Sequence, residues 1–224
     1  MTTRTVCITG AGSGLGKDMA LLFADKGYRI VLVGRNEQKL KDVKELIEKK
    51  GGQAFHYSFD IRSESDVQTN VKKILETTNV QILVNNAGIG HFGTILELTS
   101  EQINEMMDTN VYGTINMTRA FLPHLLEQPN SSIINIISTA GLRGKVKETA
   151  YCASKFAVRG FTEALQKELD GKVNVVAAYM GGMNTPFWDN SEFVKDPSIL
   201  PNSYGVAKEI VDRFEKEQEI IIET

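Results

Sequence analysis

TGAGSGLG, residues 9–16, closes a strand-like run, VCITG (6–10), and opens a stretch of helical pattern. In that stretch Leu15, Met19, Leu22 and Phe23 fall at i, i+4, i+7 and i+8, one face of a helix. A glycine-rich turn between a first strand and a first helix is where an open α/β sheet binds a pyrophosphate. Backbone N–H groups at the helix N-terminus face the anion, and the missing side chains let it approach. The spacing is not G-x-G-x-x-G, because counting from Gly10 puts Leu15 third and counting from Gly12 puts Lys17 third. G-x-x-x-G-x-G does fit, through Gly10, Gly14 and Gly16. No G-K-[ST] follows, so the turn is not a Walker A loop. The plainer alternative is a tight turn whose glycines serve only positive φ.

Outward from this turn the chain alternates short β-rich runs with helical patterns. The runs are RIVLVG (29–34), QAFHYSF (53–59), QILVNN (81–86), SIINIIS (132–138), KVNVVAAY (172–179) and EIIIE (219–223). Between them lie helices marked by Leu40, Val43 and Ile47, then by Val67, Val71, Ile74 and Leu75. Further helices are expected over 100–127, 149–170 and 205–216. Val/Ile runs without strict alternation are strands covered on both faces, and helices between them imply parallel strands. The expectation is one α/β domain over 1–224: a Rossmann-like, doubly wound three-layer sandwich whose seven-stranded sheet is mostly or wholly parallel.

Composition excludes several classes. Of 224 residues, 42% are hydrophobic and 24% charged, with a net charge of −3 and no basic block, so no nucleic-acid partner is expected. No apolar run approaches the roughly 18 residues of a membrane span. The start, MTTRTVCITG, has neither an apolar h-region nor a small-residue cleavage site. Cys7 and Cys152 read as reduced thiols of a cytoplasmic protein. His56, His91 and His124 lack metal-ligand spacing, so no metal site is expected.

Two further stretches carry chemistry. The second strand ends Val33-Gly34-Arg35, with no acid to hold a ribose 2′-OH; Arg35 offers a planar cation suited to a 2′-phosphate. YCASK (151–155) places Tyr151 and Lys155 at i and i+4, on one helix face. A free tyrosine, with a pKa near ~10, exchanges its proton poorly at neutral pH, and a neighbouring ammonium favours the phenolate.

Taken together, TGAGSGLG, Asp60-Ile61, NNAG (85–88), Asn110 in DTNVYG, Ser138 in INIISTAG and YCASK resemble the short-chain dehydrogenase/reductase family from end to end. Ser138 also precedes Tyr151 by the interval that the family pattern requires. The resemblance implies a catalytic set of Asn110, Ser138, Tyr151 and Lys155. Tyr151 would be the general acid in reduction and the base in oxidation. Lys155 would lower its pKa and hold the nicotinamide ribose. Ser138 would hydrogen-bond the substrate oxygen, and Asn110 would help hold a water linking Lys155 to solvent. It implies cofactor contacts at Gly10, Ser13, Gly14, Leu15, Gly16, Arg35, Asp60, Ile61, Asn86, Ala87, Gly88, Met183 and Thr185, besides Tyr151 and Lys155.

NADP is therefore favoured over NAD, and the implied reaction is reduction of a ketone, aldehyde or 3-oxo-acyl group to an alcohol. An NAD-dependent alcohol or sugar dehydrogenase is the second reading, and a non-catalytic NADP-binding regulator the third. Met180 stands where the family usually has proline, although Gly181 and Thr185 fit. A short substrate segment, about 186–204, suggests an open site for varied or bulky carbonyls. Met183, Phe187, Trp188 and Phe193 line an apolar pocket, or serve as core or subunit contacts. A homodimer or homotetramer is implied, with Met106, Met107, Phe121 and Phe161 as candidate contacts or core.

Overall fold

The computed structural model describes residues 3–189 and 193–222. Part of the expected substrate segment, residues 190–192, and the end of the expected last strand, Glu223, lie outside the described residues.

Seven strands, β1 (Thr5–Thr9), β2 (Arg29–Gly34), β3 (Ala54–Ser58), β4 (Val80–Asn85), β5 (Ser132–Ile136), β6 (Asn174–Met180) and β7 (Glu219–Ile222), form one sheet. Its order is β3-β2-β1-β4-β5-β6-β7, and every pairing is parallel. Central strands β1, β4 and β5 are buried at every position, which is why they read as unbroken apolar runs. The edge strands β3 and β7 carry exposed positions.

Side chains alternate across the sheet. Val6 and Ile8 face one core with Leu15 and Met19 of α1 (Gly14–Asp25), Leu40 and Val43 of α2 (Glu37–Lys49), and Val206 and Ile210 of the C-terminal helix (Ser203–Arg213). Cys7, Val31 and Leu83 face the other, with Val67 and Val71 of α3 (Glu64–Thr77). The same layer holds Met117 and Phe121 of a helix over Gly113–Leu126 and Leu165 of one over Thr149–Glu168. The result is the three-layer doubly wound sandwich that the sequence predicts. Among the described residues no helix is long and apolar enough to cross a membrane.

One element differs. The stretch expected as a single helix, 100–127, is α4 (Ser100–Met106), a π-helical turn (Met107–Tyr112) and α5 (Gly113–Leu126). The remaining helices, Thr149–Glu168 and Ser203–Arg213, are α6 and α7. Of the candidate subunit contacts, Met106 and Phe121 are fully buried within the chain itself, so they are core residues. Met107 and Phe161 are partly buried against it.

The chain winds outward from β1 to β3, then returns to place β4 on the other side of β1. That reversal opens a crevice beyond the C-terminal ends of β1 and β4, where open α/β sheets bind their ligands.

Candidate active site

A cleft of about 720 Å³ occupies this crevice. Its lining includes every residue expected from the sequence to touch cofactor, from Gly10 to Thr185. Of the expected catalytic residues, Ser138, Tyr151 and Lys155 line it, while Asn110 lies just beneath.

The glycine loop is shaped for a phosphate group. Gly14 takes a φ of +50, a conformation that side chains rarely adopt. A Cβ on Gly16 would lie 2.4 Å from the Gly10 carbonyl oxygen, so only glycine lets α1 start this close to the loop. Ser13, the N-cap of α1, makes no side-chain cap hydrogen bond. The first N–H groups of α1 therefore open toward the cleft with no capping side chain.

The loop is tied to β4 through polar side chains. Thr9 Oγ1 accepts from the backbone N–H groups of Asn86 and Ala87, each at 3.0 Å. Asn86 Nδ2 donates to the carbonyls of Thr9 (2.9 Å) and Gly10 (3.4 Å). Asn86, expected as a ribose contact, thus also fixes the floor of the cleft. Thr185, on the loop after β6, reaches the glycine loop from the opposite side, 3.1 Å from where a Cβ on Gly14 would sit. Met180, in the place of the usual proline, is a buried strand residue of β6 paired with Ile222.

At the far end Arg35 and Lys39 both line the cleft, and neither enters an ion pair among the described residues. Lys39 was not singled out by the sequence; only its place one turn into α2 from Arg35 would have shown it. Asp60 is held by Arg62, whose Nη2 lies 2.6 Å from its Oδ2. Burial raises the Asp60 carboxyl, but the hydrogen bonds from Arg62 outweigh it and hold the group below its ordinary range.

The four catalytic candidates converge from different elements. Ser138 follows β5 with φ 105, an uncommon backbone conformation for a residue with a side chain. Its Oγ accepts from the Ala140 N–H at 3.2 Å, and its hydroxyl is hydrogen-bonded to Tyr151. Tyr151 and Lys155 stand on α6, both buried. Lys155 Nζ lies 5.7 Å from the centre of the Tyr151 ring and donates to the Ile136 carbonyl at 3.2 Å. Burial pushes the Tyr151 phenol above its ordinary value, with its hydrogen bond to Ser138 pulling the other way. Burial also lowers Lys155 to about 8. Desolvation, rather than the neighbouring ammonium, therefore governs the phenol in this state.

Asn110 sits in the π-helical turn, 1% exposed. Its Oδ1 accepts from the Ile89 N–H, and its Nδ2 donates to the Ile89 carbonyl, both at 2.9 Å. Nδ2 also donates to Ser154 Oγ at 3.0 Å. The side chain thus clasps the loop after β4 to α6 beside Lys155.

The substrate end is walled by aromatic rings. Phe92 stacks on Trp188 (ring centres 5.2 Å) and on Phe193 (4.8 Å), and meets Tyr151 edge-on at 5.4 Å. Phe187 lies 6.0 Å from Tyr151. Trp188 Nε1 donates to the Met183 carbonyl at 2.8 Å, tying the wall to the loop after β6. The sequence suggested Met183, Phe187, Trp188 and Phe193. It gave no signal for Phe92, His91 or Glu148, which line the same end.

Comparison with known proteins shows the family and the fold. The NADPH-dependent pterin aldehyde reductase of Arabidopsis thaliana is 35% identical over 187 residues, covering 83% of this chain and 77% of that protein. For one other curated relative, this chain spans only 56% of its length. A putative short chain dehydrogenase of Escherichia coli CFT073, solved with NADPH, is 27% identical with a TM-score of 0.90, covering 100% of this chain and 97% of that one. A short chain dehydrogenase/reductase of Burkholderia phymatum, solved with NAD, is 25% identical with a TM-score of 0.89, covering 98% and 88%. A model of the short chain dehydrogenase family matches residues 4–194, a span running from β1 past Thr185, and the chain belongs to this family of NAD(P)-dependent oxidoreductases.

Proposed function

We propose that the chain is an NADP-dependent carbonyl reductase in which Tyr151 is the general acid. The observation that carries this reading is the meeting of Ser138, Tyr151 and Lys155 at one cleft, over the clasp made by Asn110. Bound along the cleft, NADPH would supply the hydride. The glycine loop and the N-terminus of α1 would hold its pyrophosphate, with Arg35 and Lys39 at the 2′-phosphate.

The chain's own residues do the rest. Ser138, hydrogen-bonded to Tyr151 when no substrate is present, turns its hydroxyl hydrogen to the carbonyl oxygen and polarises it. Tyr151 gives that oxygen its phenolic proton as negative charge develops there. A phenol that burial keeps protonated suits the reducing direction. Lys155, a cation at neutral pH with a pKa of about 8, stabilises the phenolate left behind. Acid–base help of this kind is typically worth about 10² to 10⁴ in rate.

Assembly as a homodimer or homotetramer and a cytoplasmic location belong to the same reading. Light scattering on the purified protein tests the first. The reaction is tested by NADPH consumption on a panel of ketones, diketones, aldehydes, quinones and 3-oxo-acyl thioesters, with Tyr151→Phe beside wild type. Turnover that falls by about 10² or more in the variant is the expected result. Equal turnover in the two proteins removes Tyr151 from the mechanism.

A further inference from the structure

Glu148 is 8% exposed and lines the cleft, one helical turn before Tyr151 on the same helix. It is the N-cap of α6, yet its side chain makes no cap hydrogen bond. Among the described residues its carboxylate has no hydrogen bond and no ion pair. The nearest cation, Lys145, donates instead to Thr139 Oγ1 at 3.0 Å. Of the three other acids that line the cleft, Asp60 is taken by Arg62 and Glu105 by His91 at 2.9 Å, while Asp189 is exposed. The Glu148 stem is packed away while its oxygens open into the cleft, where partial burial raises the carboxyl and the charge of Lys145 only partly offsets it. A carboxylate that faces a cleft with no protein partner among the described residues is available to a ligand.

The same cleft is lined by Phe92, Phe187 and Trp188, and Phe92 and Phe187 pack against Tyr151, one turn along α6 from Glu148. Aromatic rings with a half-buried carboxylate in the same cleft are a surface for a planar ligand carrying positive charge or N–H donors: the rings take the flat body and attract a cation, and the carboxylate takes the donor.

We propose that Glu148 is a specificity-determining residue, and that the substrate class is aryl carbonyl compounds bearing a basic amine or comparable N–H donor. This rests on the carbonyl-reductase reading for its chemistry, but its binding claim is separable. The reacting carbonyl lies at Tyr151 and Ser138, and the donor group lies one turn back, at Glu148.

The test compares three ketones of similar shape: 3′-(aminomethyl)acetophenone, its neutral isostere 3′-ethylacetophenone, and the anionic 3-acetylbenzoic acid. Two readouts are taken for wild type and Glu148→Gln. One is kcat/KM with NADPH. The other is the Kd in the presence of NADP⁺, read by quenching of Trp188, the chain's single tryptophan and part of the aromatic wall. Wild type binds and reduces the amine at least about tenfold better than the ethyl ketone, with the acid weakest. Glu148→Gln removes the preference for the amine.

Equal wild-type Kd values for the amine and the ethyl ketone overturn the proposal, whether or not the variant folds. So does a preference that survives in Glu148→Gln. If the Kd order holds but no ketone is reduced, the reductase reading fails and the binding assignment stands. If ketones are reduced with no order among them, the reverse is true.

Discussion

Burial moves Tyr151 and Lys155 in opposite directions, and each is held toward its neutral form. For the phenol this preserves the proton that reduction needs. For the lysine it stores a destabilising charge beside the reacting groups, one that falls away as the ammonium deprotonates. The sign of the resulting pH dependence is fixed. Lys155 titrates near 10.5 when unfolded and at about 8 when folded. Between those values the unfolded chain binds more protons, so stability rises with pH across the window. The penalty is full below pH 8 and gone above 10.5. Lys155→Met lacks it at every pH. The Tm of wild type minus that of Lys155→Met should therefore increase from pH 8 to 10.5, measured without cofactor. Tyr151, Tyr179 and Cys7, whose buried groups resist ionisation, push the other way, but they are common to both proteins and cancel in the difference. A difference that stays flat or falls would show that Lys155 is not desolvated.

At the scale of elements, the π-helical turn decides where Asn110 points. One extra residue per turn widens the backbone locally, and such turns recur at functional sites. The sequence could not show it, because Met106, Met117 and Phe121 keep helical spacing on either side and the inserted residue changes no composition. The strands were legible because burial on both faces leaves unbroken runs such as RIVLVG and SIINIIS. The glycine loop was legible because a close approach, 2.4 Å at Gly16, admits one residue type. Phe92 and Glu148 were not. Neither lies in a motif, and Glu148 in KVKETAY reads as one more solvated charge until folding brings it into the cleft that the aromatic rings line. The clasp made by Asn110 carries its own prediction. Asn110→Leu removes the partners of both the Ile89 N–H and carbonyl in a partly buried setting, at roughly 1–3 kcal/mol for each group left unsatisfied. Denaturant unfolding should show a loss of about 2–4 kcal/mol for Asn110→Leu. Tyr151→Phe, which deletes one hydroxyl at the cleft surface, should stay within about 1 kcal/mol of wild type. Near-equal midpoints for Asn110→Leu and wild type would remove the structural role assigned to the clasp.

The whole molecule is a sheet whose strand order reverses once, and every part of the proposed chemistry lies along that reversal. One end of the cleft holds Arg35 and Lys39, the middle holds the glycine loop under Thr185, and the other end holds Tyr151 and the aromatic wall. A ligand spanning it therefore touches β1, β2, β4, β5 and β6 through the loops at their ends, and binding should stabilise the entire domain. At about 100 times its Kd a ligand adds roughly 2.7 kcal/mol, which for a chain of this size is a Tm rise on the order of 5–10 °C. NADP⁺ should give a shift of this size at a concentration where NAD⁺ gives much less, since in the proposed reading the extra phosphate would meet Arg35 and Lys39, two cations with no ion pair among the described residues. Arg35→Asp puts an acid where the 2′-phosphate would sit, so it should collapse the NADP⁺ shift and leave the NAD⁺ shift equal or larger. Equal shifts with the two cofactors in wild type would favour the NAD-dependent reading. A preference for NADP⁺ that survives Arg35→Asp but not Lys39→Ala would move the phosphate site one helical turn along α2.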